Sequence, residues 1–473
     1  MIEPEASGDG SPAVTIVRGA WVLTMGPAGA IREGAVAFGA DGEIGAVGDA
    51  GALIAANPGA TVSGDGHGIV LPGFVNAHTH LTEGLITGMG ETALLWEWFE
   101  RVVNPCGSVI TRDEVELGAR LKAVEMLESG ITTVNDMSCH RNLGSNASLG
   151  AVDGLSALGM RGIVSFGAED MYEGAPGAGV FMAEHEALAD LISGEGMIDF
   201  RVGVGTVLGM SDELFEHTVA ACAEHGWAVH THLAEVREEL TESRIKNKCS
   251  TVEHAGRMGL LDHEVIAGHC IWCSEKDIGL MASRDVAVAH NPVANMILAS
   301  GVCPLPRFQR EGLRIGIGTD GAASNDSQDM FGAIKTAALL QKVHHLDAEA
   351  MTAPEVLRMA TIGGATALGL EAETGSLEVG KRADIQLLDG DGPELAVLHD
   401  PFQQLVYGAT PQSVSDVWVD GIHRVAGGEV AGLDRSALAA GAREAARDLA
   451  VRGKLRGESA YAGPLEFEEG TDG

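Results

Sequence analysis

The middle of the chain alternates strand-like and helix-like segments, and this alternation constrains the fold more than any other feature of the sequence. Residues 113–129 are amphipathic and stop at Gly130, which predicts a helix and its end, and a strand is predicted directly after it. The same alternation recurs at 151–165, 212–232 and 277–290. Repeated units of this kind predict an α/β fold, a (β/α)8 barrel of the TIM type. A doubly wound sheet is the alternative, but the glycine fingerprint expected after its first strand is missing.

Both ends of the chain are rich in β-strand signals. Short alternating segments before residue 70 are separated by Gly, Asp and Pro turns, which is typical of small antiparallel strands. A similar block follows the alternating region. We therefore predict a composite β-sandwich domain from residues 1–70 and 371–433, a barrel at 71–370, and a C-terminal helix and tail at 434–473.

Composition excludes several classes of protein. The formal net charge is −36, from 67 acidic against 31 basic residues, and such a surface repels phosphate backbones and anionic lipids. Neither nucleic acid nor a membrane is an expected partner, and no secretory signal or bilayer-spanning run is visible. Seven scattered cysteines fit a reducing cytoplasm, and Cys270 and Cys273 are expected to be buried thiols. The acidity fits a host with a salty cytoplasm and an ordinary bacterium equally well.

The most concentrated chemistry lies at residues 71–80, where a hydrophobic run ends in His78-Thr-His80. Two residues apart on a strand, both imidazoles point to the same side. They would lie at the C-terminal end of the strand, where parallel α/β barrels carry their active sites. Two convergent imidazoles indicate a metal, although the pair alone is also compatible with packing.

Further titratable residues close predicted strands later in the chain. His232 ends one strand and is followed by Glu235, His269 ends another, and Asp320 closes a third. Burying so many titratable groups without partners is costly, and a shared metal-centred pocket removes that cost. His230 shares the face of His232 but should lie deeper, as a core histidine with satisfied hydrogen bonds.

The donor types limit the metal. Neutral imidazoles and a carboxylate suit Zn²⁺ or Fe²⁺ better than Mg²⁺ or Ca²⁺, which prefer oxygen ligands. Zn²⁺ is the first choice and Fe²⁺ the alternative. No lysine occurs between Lys122 and Lys246, so the central strands cannot supply a carbamylated lysine that bridges two metals. The sequence thus predicts one divalent transition metal.

These motifs resemble those of the amidohydrolase superfamily, specifically its mononuclear deaminase and triazine hydrolase (chlorohydrolase) branch, which includes the S-adenosylhomocysteine and methylthioadenosine deaminases. The matching segments span nearly the whole chain in the family's order: 72–80, 232–235, 269–270, 318–320 with 324–326, and 375–384. The resemblance implies the same barrel, a β-sandwich assembled from both chain ends, and a homo-oligomer.

The resemblance also implies roles for individual residues. His78, His80, His232 and Asp320 would be the metal ligands, and the metal would lower the pKa of a bound water from about 16 to about 7. Three catalytic residues would then act: Asp320 takes the water's proton, Glu235 protonates a ring nitrogen, and His269 stabilises the oxygen. The implied function is deamination of an amino-substituted N-heterocycle, a hydrolysis of a carbon–nitrogen bond other than a peptide bond.

Two positions depart from the nucleoside deaminases of this branch. A glutamate expected to bind the ribose hydroxyls falls at Gly107, and a nucleoside-recognising histidine falls near Val207. A site built for hydroxyls loses strongly without such partners. Three alternatives therefore stay open: an s-triazine-type hydrolase that releases chloride or alkylamine, an adenosine-like nucleoside deaminase, and a non-catalytic scaffold. The scaffold is disfavoured because all six metal and acid residues are present.

Overall fold

The computed structural model describes residues 14–192, 196–455, 457–459 and 463–465. Most of the predicted C-terminal tail and the acidic N-terminal residues lie outside the described residues. Within the described chain, the fold consists of a parallel barrel and two further sheets built from segments before and after it.

Eight parallel strands follow one another around the barrel in chain order, and the eighth lies beside the first. They are Phe74–Thr79, Ile131–Ser138, Arg161–Ala168, Val202–Thr206, Val229–Leu233, Val265–His269, Ala287–His290 and Ile315–Ile317. Nearly all their residues are buried, as expected for strands covered on both faces. The predicted (β/α)8 barrel is confirmed.

Helices cover the outside of the barrel, and their ends follow local sequence signals. The helix Arg112–Glu128 begins with a capping box between Thr111 and Glu114 and stops before Gly130, whose φ is +82°. The others between the strands and after the last are Ala147–Leu158, Ala178–Ile192, Asp212–His225, Arg237–Lys246, Thr251–Arg257, Glu275–Ser283, Pro292–Ile297, Leu305–Arg310, Met330–His345, Ala353–Met359 and Ile362–Ala367.

A nearly continuous helical segment follows the first barrel strand and reaches over the cavity at the C-terminal end of the barrel. It consists of Leu95–Trp98, a π-helical turn at Phe99–Val103, and Asn104–Gly107. Short 3-10 turns occur at Leu81–Glu83, Val207–Gly209, Leu260–Asp262 and Pro411–Ser413. The segment matters for function because Phe99, Val103 and Gly107 line a pocket described below.

The two chain ends form two sheets that share a hydrophobic core. One sheet contains Ile44–Asp49, Gly34–Gly39, Val14–Arg18 and Thr61–Ser63; the other contains Glu429–Val430, Ile422–Ala426, Val414–Val419, Ile385–Leu388, Ile69–Pro72, Trp21–Leu23 and Ala30–Arg32. Phe38 of the first sheet packs in one buried cluster with Ile385 and Trp418 of the second. The expected sandwich from both ends is therefore present.

The turn-rich sequence suggested that all strands of these sheets pair in antiparallel fashion, but two pairs are parallel. Val14–Arg18 pairs in parallel with Thr61–Ser63, and Trp21–Leu23 pairs in parallel with Ile69–Pro72. Both parallel pairs join strands that are distant in sequence, and the helix Ala50–Ala56 lies in both connections. Short-range turn signals do not reveal such pairings.

The second sheet runs directly into the barrel. Ile69–Pro72 pairs with Ile385–Leu388, and only Gly73 separates it from the first barrel strand. A Cβ at Gly73 would lie 2.1 Å from the hydroxyl of Thr132, so only glycine fits this close approach. The sandwich therefore holds the strand that carries His78 in a fixed position.

The remaining elements lie outside the barrel. Ile198–Phe200 pairs with the third barrel strand, and Pro401–Gly408 and Arg435–Arg452 are helices of the C-terminal part. The last of these begins at the N-cap Asp434 and contacts the helix Arg112–Glu128, and a strand pair follows at Gly457–Ser459 and Gly463–Leu465. Among the described helices, none is long and apolar enough to cross a bilayer.

Candidate active site

All six predicted site residues converge at the C-terminal end of the barrel. His78 lies on the first strand and His80 directly after it. The others are contributed by later strands: His232 by the fifth, Glu235 by the turn after it, His269 by the end of the sixth and Asp320 by the segment after the eighth. The site is therefore built from residues that are far apart in sequence.

The ring nitrogens of His78 and His80 face the Asp320 carboxylate, and the ring nitrogen of His232 lies beside that of His80. His232 Nε2 is 3.2 Å from His80 Nε2, and Asp320 Oδ1 is 3.4 Å from His78 Nε2 and 3.5 Å from His80 Nε2. Two overlapping sets of ligand atoms, one including Asp320 and the other His269, each lie within 4.8 Å of one another. This geometry brings several lone pairs to one point.

Hydrogen bonds to the other ring nitrogen fix which tautomer each imidazole adopts. His80 Nδ1 donates to the Met137 carbonyl at 2.7 Å, and His232 Nδ1 donates to the Gly205 carbonyl at 2.6 Å. A carbonyl only accepts, so the proton must be on Nδ1 in both rings. Each Nε2 then presents a lone pair to the cavity, as a metal ligand does.

His230 fixes the third imidazole in the same way. The Ser165 hydroxyl donates to the Asp136 carbonyl at 2.8 Å, so Ser165 Oγ accepts from His230 Nδ1 at 3.2 Å. His230 Nε2 is then an acceptor, and His78 Nδ1 donates to it at 2.7 Å. As expected, His230 is a buried histidine with satisfied hydrogen bonds, but it also orients His78.

The donor set fits a divalent metal ion. His78 Nε2 is buried and has no hydrogen-bond partner, which is costly unless a cation occupies the point it faces. Burial lowers the pKa of His78, and burial together with His78 lowers the pKa of His80 to about 4, so both rings are neutral. Burial alone would raise the pKa of Asp320, but His269, His78 and His80 hold it well below its usual range. Neutral imidazoles and an ionised carboxylate are typical of transition-metal sites.

The other half of the site pairs an acid with a histidine. His269 Nε2 lies 3.6 Å from Glu235 Oε2 and 3.6 Å from Asp320 Oδ2, while its Nδ1 donates to Asn295 Oδ1 at 2.8 Å. Ser300 donates to Glu235 Oε1 at 3.3 Å. His269 therefore stands between two carboxylates, oriented from behind by an amide.

The environment raises the pKa values of both Glu235 and His269. Burial, reinforced by Asp320, raises the pKa of Glu235 to about 7. Burial lowers the pKa of His269, but Glu235 and Asp320 outweigh it and the net pKa lies above its usual value. Near pH 7 the carboxyl of Glu235 is thus about half protonated, and it lies beside an imidazole that can donate a hydrogen bond, as acid–base catalysis requires.

The backbone at two of these residues is held in the left-handed region. The φ of His269 is +68° and that of Asp320 is +64°, a conformation that residues other than glycine rarely adopt. Such conformations concentrate at functional sites, where the surrounding structure imposes them. Here Asp320 N donates to the His78 carbonyl at 2.9 Å, which ties the eighth strand to the first.

Several residues that support the site are not evident from motif spacing. Glu239 accepts hydrogen bonds from the backbone amides of Ala234 and Glu235, at 2.8 and 2.7 Å, and so fixes the turn that carries the acid. Asn295 and Ser300 follow the seventh strand, which carries no predicted site residue. Glu239 could have been noticed as a carboxylate at the start of a helix directly after Glu235.

The two positions that depart from nucleoside deaminases have different surroundings. Gly107 lines a pocket that opens from the metal side of the cavity, and a Cβ there would lie 3.2 Å from the His140 Cα. Val207 is 1% exposed and belongs to the hydrophobic core. Neither position brings a polar side chain to the cavity.

Comparison with known proteins agrees with this architecture. The model of the amidohydrolase family matches residues 69–423. The 5-methylthioadenosine/S-adenosylhomocysteine deaminase of Desulforudis audaxviator is 37% identical over 381 residues, which cover 80% of this chain and 87% of that protein.

Solved structures give the same result. The crystal structure of a zinc-bound adenosine deaminase from Xanthomonas campestris aligns with a TM-score of 0.85 and 31% identity, covering 93% of this chain and 99% of that one. The zinc complex of an atrazine chlorohydrolase from Arthrobacter aurescens, at 24% identity and a TM-score of 0.83, covers 91% of this chain and 100% of its own, and shows the shared fold alone. The resemblance noted in the sequence is confirmed: the chain belongs to the amidohydrolase family.

Proposed function

We propose that this protein hydrolytically deaminates an amino-substituted N-heterocycle, with the adenine ring as the first candidate. The observation that carries the proposal is the convergence of three Nε2 lone pairs and the Asp320 carboxylate beside the Glu235–His269 pair. Relatives named as deaminases of adenosine derivatives support an aminopurine substrate.

We assign one zinc ion to the site, held by His78, His80, His232 and Asp320, with Fe²⁺ as the alternative. The nitrogen-rich donor set and the zinc bound by the similar adenosine deaminase support this assignment. When bound, the ion acts as a Lewis acid that lowers the pKa of a water molecule and so prepares it for attack at neutral pH.

The residues of the chain supply the proton transfers. Asp320 accepts a proton from the attacking water, and the protonated Glu235 donates one to the ring nitrogen beside the carbon that carries the amino group. Protonation draws electrons from that carbon, while His269 donates a hydrogen bond to the incoming oxygen. The proton held by Asp320 then passes to the amino group, which leaves as ammonia while the carbonyl forms. The hydroxyl proton returns to Glu235, and the ring nitrogen keeps the proton that Glu235 delivered.

The experiment is a screen for ammonia release from aminopurines, aminopyrimidines, pterins and aminotriazines. Zinc-loaded protein should release ammonia from at least one aminopurine, and chelated protein should release none. An Asp320→Asn variant that kept full turnover would contradict the assignment of the proton acceptor.

A second candidate is displacement of chloride or alkylamine from an s-triazine ring. It is favoured by the lack of a polar side chain at Gly107 and Val207, where nucleoside deaminases are expected to bind the sugar. Assays for chloride and alkylamine release, run beside the ammonia assay, separate the two reactions.

We also propose a cytoplasmic homo-oligomer without nucleic-acid or membrane partners. All seven cysteines are free thiols, which fits a reducing compartment. Leu339, Val343 and Leu346 are exposed on one stripe at the end of the helix Met330–His345, a surface that a second copy could cover. A native mass equal to one chain would contradict the oligomer.

A further inference from the structure

A side pocket opens directly from the catalytic cavity. Phe99, Cys139, Thr206 and His232 line both spaces. A substrate whose reacting carbon lies beside His232 can therefore extend a substituent past these four residues into the side pocket. The side pocket is therefore where a substituent of the substrate ring would bind.

Glu169 is the one carboxylate among the residues that line the described part of this pocket. It follows the third barrel strand, and its Oε1 accepts a hydrogen bond from the Thr206 hydroxyl at 2.6 Å. Cβ atoms built at Gly205 and Gly209 would both lie 2.6 Å from its side chain. The hydrogen bond from Thr206 and the close approach of Gly205 and Gly209 therefore fix the position of the Glu169 carboxylate.

No cation among the described residues pairs with Glu169 within 4.0 Å. The nearby guanidinium of Arg141 lies instead over the Tyr172 ring, 4.3 Å from its centroid. Burial raises the pKa of Glu169 above its usual value, although Thr206 and Arg141 act in the opposite direction. A carboxylate offers about four acceptor positions when it is ionised, and the hydroxyl and backbone amide of Thr206 use two of them. The remaining acceptor capacity is available to a molecule in the pocket.

We propose that Glu169 accepts hydrogen bonds from hydroxyl groups on the substituent of the substrate ring, so that the substrate is a glycosylated aminopurine. This inference rests on the proposed function. Arg141 lines the same pocket and would repel a cationic substituent, whereas neutral hydroxyls bind beside both charges. Gly107, on the helical segment that covers the cavity, lines this pocket too but has no side chain to offer. The carboxylate therefore comes from Glu169, directly after the third barrel strand.

The test compares adenosine with 9-methyladenine, which has the same ring without hydroxyl groups. Glu169→Gln keeps an acceptor oxygen but removes the charge, so KM for adenosine should rise about tenfold with kcat within about threefold. Glu169→Ala should raise that KM about a hundredfold. The kcat/KM for 9-methyladenine should change less than about twofold in both variants. The matched control is Glu173→Gln, an exposed carboxylate four residues away.

Zinc content and Tm of the variants show whether a loss arises from the fold. Equal losses on adenosine and 9-methyladenine would overturn the role of Glu169 and leave the proposed function standing. A preference of the wild type for 9-(2-aminoethyl)adenine over adenosine, lost in Glu169→Gln, would also overturn it, because the pocket would then bind a cation. If wild-type protein deaminates no ring at all, the proposed function fails, and the inference fails with it.

Discussion

The proposed metal site, which consists of His78, His80, His232 and Asp320 and is called the cluster below, and the side pocket form two halves of one cavity, and they are built differently. In the cluster, strand ends supply the ligand atoms, and His78, His80 and His232 are each oriented by a hydrogen bond on Nδ1. In the side pocket, Arg141 and Gly107 come from connections, and Glu169 is positioned by a single threonine and two glycines. The comparison indicates that the chemistry is fixed by the barrel, whereas the choice of substrate depends on a few residues that connections can change.

Removal of the metal should have the largest effect on activity, because the cluster prepares the water for attack. It should leave the side pocket unchanged. Chelation should abolish ammonia release, and Zn²⁺ should restore it, while Mg²⁺, which prefers oxygen ligands, should not. A metal present at 1,000 times its Kd stabilises the fold by about 4 kcal/mol, so Tm should fall on chelation. Full activity in chelated protein, verified by elemental analysis, would remove the cluster from the mechanism.

Loss of the acid should come next in size. Glu235→Gln keeps the shape of the side chain but cannot deliver a proton, so kcat should fall about a thousandfold. The exposed neighbour Glu238 provides the matched control, and Glu238→Gln should keep kcat. Elemental analysis should find the same zinc content in both variants, since Glu235 lies outside the ligand set. A fall of less than tenfold would exclude Glu235 as the acid.

Loss of the hydrogen bond between His230 and His78 should have a smaller effect, on zinc affinity. His230→Gln should weaken zinc affinity 10- to 100-fold, as expected when the partner that orients a ligand is lost. His185 offers a control because it is also buried but contacts Phe166 and Phe200. His185→Gln should reduce stability without changing zinc affinity in a competition titration. Equal affinities in the two variants would mean that His230 is only a packing residue.

The pH profile should show the state of Glu235 directly. The raised pKa of Glu235, about 7, means that the carboxyl carries its proton below pH 7 and loses it above. Because the acid form is the active one, kcat/KM should decline tenfold per pH unit on the alkaline side. A bound cation stabilises the carboxylate and should place this limb at or below pH 7. Activity that instead rises from pH 7 to pH 9 would require the ionised form to be the active one.

The sequence predicted the cluster better than the side pocket for a physical reason. On a buried strand the side-chain period is fixed, so His78 and His80 could be placed on one face without a structure. Glu169 also follows a strand, but no spacing rule links it to Thr206 or Arg141, and its pocket exists only after the connections pack. The same limit applies to the parallel pair of Val14–Arg18 with Thr61–Ser63, which depends on long-range pairing.

A substitution beneath Glu169 should have the smallest effect and separates the two halves of the cavity most sharply. The Cβ of Gly209→Ala would lie 2.6 Å from Glu169 Cδ and must displace the carboxylate, so KM for adenosine should rise about fivefold. Gly177→Ala is the matched control, because no atom lies within 4 Å of its new Cβ. Zinc affinity and the alkaline limb of the pH profile should be the same in both variants and in the wild type, since neither glycine contacts the cluster. A change in zinc affinity in Gly209→Ala alone would show that the side pocket and the cluster are mechanically coupled. The coupling would run through Thr206, which accepts a hydrogen bond from Gly209 N, and the neighbouring Gly205 carbonyl, which accepts the hydrogen bond of His232. A substrate in the side pocket could then influence the metal by the same route.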